Sequence, residues 1–140
     1  MTKEQHIENY LKAEYQVFDK ELTTSIKIGI NNPQLNSFLK ASNHNTWAFI
    51  TAWNPYSLNE TTDTENHSRN QTLLEDLNVQ DIQVISGKGI DPSGEYSGED
   101  SFLITGISRD DAIQLGQKYQ QNAIVFGEIY KNPELIWTRD

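Results

Sequence analysis

The stretch AFITAWNPYSLNETTDTENHSRNQTLLEDL, residues 48–77, holds the transition on which the fold turns. Its first part belongs to TWAFITAW, residues 46–53, which is apolar on both faces and rich in β-formers. That pattern predicts a central strand covered on both sides. Its last part predicts a helix. Thr62 and Glu65 have capping-box spacing, and Asn66, Asn70, Leu73 and Leu77 share one helical stripe with Leu74 beside it, ending near Asn78. Between and within these elements lie Asn54, Asn59, Asn66, His67, Arg69 and Asn70, polar residues set where a core begins. A buried amide is costly unless its donors and acceptors are met, so these residues ask for partners.

Working outward, residues 3–18 carry Ile7, Tyr10, Leu11, Val17 and Phe18 at spacings close to helical and predict one amphipathic helix. TTSIKIGI, residues 23–30, alternates at Ile26, Ile28 and Ile30 as a half-buried strand does. Pro33, followed by Leu35, Phe38 and Leu39, marks a short helix. QDIQVIS predicts a second alternating strand, and GKGIDPSGEYSG, residues 87–98, a shaped loop. SFLITGI and NAIVFGEIY predict buried strands, separated by a helix that starts at Ser108–Asp111 and turns Ala112, Leu115, Gly116 and Tyr119 inward. ELIWT predicts a hairpin partner across Lys131-Asn132-Pro133. The expected class is α+β: a single compact domain over residues 1–140, with a mixed or mainly antiparallel sheet of about five to six strands packed with about four helices.

Composition narrows the function classes. The chain has 140 residues, a net charge of −9 and no cysteine. Disulfides, thiolate metal sites and cysteine nucleophiles are excluded, and a reducing, cytoplasmic location is expected. The basic residues are scattered, which argues against a nucleic-acid polymer as partner. There is no apolar run of membrane-spanning length, so no membrane partner is expected. SGKGIDPSG lacks the G-x-x-x-x-G-K-[ST] order of a phosphate loop, and no G-x-S-x-G elbow is present. No metal or cofactor is expected.

If the strands after residues 99 and 121 run antiparallel to 46–53, their beginnings meet its end. That arrangement gathers Glu99, Asp100, Ser101 and Gln121 with Asn54, Ser57, Asn66 and Asn70. Trp53 is the aromatic candidate for a pocket wall, with Tyr96 as its alternative. Arg69 offers a charge for an anion. His67 with Glu99 would make an acid–base pair. The plainer reading is that the amides cap turns and brace the long loop 54–65.

The runs FITAWNPYS, ENHSRNQTLLEDL, GKGIDPSGEYSGEDSFLI and YQQNAIVFGE, in that order, resemble the domain-of-unknown-function 3293 family of small bacterial proteins over about residues 46–129. The family's aromatic-Asn-Pro turn, paired helical Asn residues, acidic-Ser step and Gln before an apolar strand fall on Trp53, Asn54, Pro55, Ser57, Asn66, Asn70, Glu99, Ser101 and Gln121. A Trp close before the family's acidic residue is replaced here by Tyr96 and a longer SGED spacing, which leaves Glu99 and Asp100 as alternatives for that role. The resemblance implies a site and no particular reaction.

Three functions are therefore expected to compete. The first is a domain that binds a small polar or nucleotide-like ligand through Trp53, Asn54, Ser57, Asn66, Arg69, Asn70, Ser101 and Gln121. The second is a hydrolase or transferase with Glu99 or Asp100 as base and His67 or Arg69 holding an anion. The third is a protein-interaction module in which the polar cluster is scaffolding.

Overall fold

The computed structural model describes residues 1–79, 81–94 and 98–140. In chain order the elements are α1 (Lys3–Lys12), β1 (Glu14–Phe18), β2 (Thr23–Ile26), α2 (Pro33–Ser42), β3 (Thr46–Ile50), a 3-10 turn (Pro55–Ser57), α3 (Asp63–Asp76), β4 (Gln83–Ile90), β5 (Glu99–Thr105), α4 (Arg109–Lys118), β6 (Ala123–Glu128) and β7 (Glu134–Trp137). The strands form one sheet in the order β2-β1-β4-β5-β3-β6-β7. Every neighbouring pair is antiparallel. Among the described residues the class is α+β with four α-helices, but the sheet has seven strands rather than five or six.

The extra strand is β1. The predicted helix over 3–18 stops at Lys12, where Ala13 turns extended. Residues 14–18 then pair with β2 and β4. Val17 and Phe18 fit a helical stripe by spacing, yet in EYQVF the same residues also fit period two, and pairing on both edges decides for the strand. Two other boundaries move. β2 ends at Ile26, leaving Ile30 exposed. β4 continues through residues 87–90, which sequence assigned to the glycine-rich loop, because Gly87 and Gly89 still pair with β1 and β5.

β3 sits at the centre and feeds two cores. Trp47 and Phe49 point to one face, where Leu35, Phe38 and Leu39 of α2 join Val17, Ile85, Leu103 and Val125. Ala48 and Ile50 point to the other, where Leu73 and Leu77 of α3 and Ala112 of α4 join Ile104, Ile124 and Phe126. That double covering is what the apolar run TWAFI requires. Gly127, beside β3, permits the close approach of Trp47, whose ring lies 2.5 Å from where a Cβ would stand. Among the described residues, no helix is long and apolar enough to cross a membrane.

Candidate functional site

β5 and β6 both run antiparallel to β3, so the starts of those two strands meet the chain that leaves β3. The backbone there is unusual. Asn54, Tyr56, Ser57 and Asn59 all have φ between 53° and 58°. Asn tolerates the left-handed region because its side chain bonds locally, but Tyr and Ser are held there against a cost of roughly 1–2 kcal/mol each.

The amides do the holding. Asn70 Oδ1 accepts from Ala52 N at 2.8 Å, and its Nδ2 donates to Asp100 O at 2.8 Å, tying α3 to both β3 and β5. One turn earlier, Asn66 Oδ1 accepts from Asn54 N at 2.8 Å and from Thr61 Oγ1 at 2.7 Å. Asn54 closes its own loop by accepting from Asn59 N at 2.6 Å and donating to Asn59 Oδ1 at 2.9 Å. Arg69 donates from Nε to Ala52 O at 2.6 Å and from a terminal nitrogen to Tyr119 O at 2.7 Å. Gln121 Nε2 donates to Trp53 O and Tyr119 O, each at 3.2 Å. Backbone groups released where β3 ends are thus met by side chains, as buried peptide groups require.

The remaining sequence candidates divide between the two faces of the sheet. Strand alternation turns Glu99 and Asp100 opposite ways. Asp100 stands on the α3 face, 4.0 Å from Lys88 Nζ, and lines a groove of about 490 Å³ with Phe18, His67, Asn70, Gln71, Lys88 and Phe102. Ser101 contributes to the same groove, while its hydroxyl donates to Glu99 O at 2.9 Å. The Trp53 ring meets the His67 ring edge-on at 4.8 Å, fixing His67 at the groove. Glu99 stands on the other face. Its Oε1 accepts from Asn54 Nδ2 at 3.2 Å, and burial pushes the carboxyl up to about 7, against the lowering effect of that hydrogen bond. No hydrogen bond joins Glu99 to His67, so the acid–base pair is not assembled. Tyr96 lies outside the described residues.

Several participants were not legible in the sequence. Tyr10 of α1 and Ser57 share a hydrogen bond of 2.7 Å. Asn122 is 2% exposed and donates to Tyr10 Oη at 2.9 Å and Tyr56 O at 3.0 Å. Arg139 donates to Asn122 Oδ1 at 3.3 Å while its guanidinium lies 4.1 Å from the Tyr56 ring centroid. Asn122 repeats the signal of Gln121, an amide before an apolar strand. Tyr10 offers no signal beyond its place on the apolar stripe of the first helix.

A family model described as a protein of unknown function, DUF3293, matches residues 50–124. No curated protein and no solved structure matches the chain. The matched span begins at the end of β3 and closes at the start of β6, so it encloses the braced loop and all the site residues read from sequence.

Proposed function

The chain belongs to the DUF3293 family, and we propose that it serves as a cytoplasmic binding domain for a small, nucleoside-sized polar ligand held in the groove between α3 and the strands β1, β4 and β5. The observation that carries this reading is the composition of that groove. Phe18, 57% exposed on the surface of a folded chain, and Phe102 supply apolar contacts, while His67, Asn70, Gln71, Lys88 and Asp100 line the same space. A cavity with apolar contacts and a few convergent polar groups is the usual form of a small-molecule site. In this reading Asn70 and Ser101 shape the groove, and Asn54, Asn66, Arg69 and Gln121 keep the adjoining loop in place.

The test is binding of a nucleoside and mononucleotide panel, followed by amide chemical shifts. Perturbations confined to His67, Gln71, Lys88 and Phe102, with Lys88→Ala weakening affinity about tenfold, are expected for a charge-assisted contact. A ligand whose perturbations fall on another surface overturns the reading.

A further inference from the structure

Gly87 and Gly89 lie two residues apart on one face of β4, yet their surroundings differ. A Cβ at Gly87 would stand 2.5 Å from Gln16 O and 2.8 Å from the Phe49 ring, so that glycine exists to be covered. A Cβ at Gly89 would have nothing within 4 Å among the described residues. Gly89 pairs with Tyr15 on one side and Glu99 on the other. Tyr15, Gly89 and Glu99 therefore form one cross-strand row with its middle side chain missing. Two inter-strand spacings put Tyr15 and Glu99 about 10 Å apart at the backbone. The gap is one side chain wide.

Its two walls are fixed. The Tyr15 ring meets Phe49 edge-on at 5.3 Å, and its hydroxyl donates to Tyr10 O at 2.7 Å. Glu99 is anchored through Oε1 to Asn54, and its Oε2 has no partner among the described residues. No described Lys or Arg forms an ion pair with Glu99. Among the described residues, the titratable groups that face it are Tyr10 from α1 and Tyr15 from β1; Arg139 acts on Tyr10. Lys88 belongs to the opposite face and to Asp100.

We infer that this gap is a second binding site, on the face opposite the groove, for a small organic cation whose ammonium or guanidinium head meets the open oxygen of Glu99 and whose apolar stem lies over Gly89 against Tyr15. A half-buried carboxylate with an aromatic wall is the chemistry that recognises such cations. The net charge of −9 favours their approach. The cation binds the ionised carboxyl, so affinity rises as pH rises through about 7 and then levels off.

The experiment follows the Glu99 carboxyl carbon by NMR across pH, with butylammonium, with methylguanidinium, and with butanol as the uncharged control. The midpoint is expected to fall with either cation and to stay put with butanol. Gly89→Val fills the gap with a β-former in a strand and should fold normally by circular dichroism while weakening butylammonium binding about tenfold or more. Glu99→Gln keeps the Asn54 hydrogen bond and should lose the cation to the same extent. A Gly-Lys-Gly amide binding more tightly than butylammonium would identify a lysine side chain of another protein as the source; the reverse identifies a free amine. A midpoint unmoved by both cations, or moved equally in folded Gly89→Val, overturns the proposal. Neither result bears on the groove.

Discussion

The loop after β3 and the row beside Glu99 are both polar, both adjoin Asn54, and differ in how far their hydrogen bonding is completed. In the loop, Asn54, Asn66, Asn70, Arg69 and Gln121 all engage backbone groups. At Glu99 one oxygen is anchored and the other is open, next to a glycine that nothing described covers. A polar group's type says little about its role. What distinguishes scaffold from site is the capacity left over after the protein's own groups have been served.

The sharpest break in that comparison is Asn70→Leu. It leaves Ala52 N without a partner inside the fold and removes one of the two hydrogen bonds to Asp100 O, which keeps Thr51 Oγ1, so the expected loss is about 2–4 kcal/mol in urea unfolding. Asn66→Ala should cost less, about 1–3 kcal/mol, because half-exposed Thr61 can turn its hydroxyl to water and only Asn54 N is left unmet. If either variant keeps full stability, the amides are not braces.

The open region should respond in the opposite direction. The Glu99 carboxyl rises from 4.5 to about 7 on folding, so its stabilising contribution is complete below pH 4.5 and lost as pH climbs through about 7. Glu99→Gln should therefore match the wild type at pH 4 and exceed it at pH 8 by about 1–2 kcal/mol, the full linkage being reduced by partial exposure. Equal stabilities at both pH values would remove the buried-acid assignment. The smallest effect is expected at the groove. Lys88→Ala should change stability by less than about 0.5 kcal/mol, since its pairing with Asp100 at 4.0 Å is exposed, and should show itself in ligand binding alone.

Much of the scaffold was legible because its signals were local. The Thr62–Glu65 capping box is formed on both sides, and Asn66, Asn70, Leu73 and Leu77 are all buried. The hairpin of β6 and β7 follows Lys131-Asn132-Pro133 as composition suggested. The boundary at Ala13 was hidden because no Gly or Pro marks it and the 14–18 run satisfies two periodicities. Strand parity was equally hard to use. Glu99 and Asp100 are interchangeable in a list of acids: alternation puts them on opposite faces, and only the register of β5 against β4 fixes which face each takes. The gap at Gly89 rests on three strands from distant parts of the chain, so no window of sequence could contain it.

The sheet order also governs how the protein can be made. β3, its most apolar strand, pairs with β5 and β6, and both are synthesised after it. As the chain emerges from the ribosome, Trp47, Phe49 and Ile50 therefore wait without lateral partners until most of the polypeptide is complete. The centre of the sheet is among the last places to close, and a nascent chain stalled before β6 presents its stickiest edge to its neighbours.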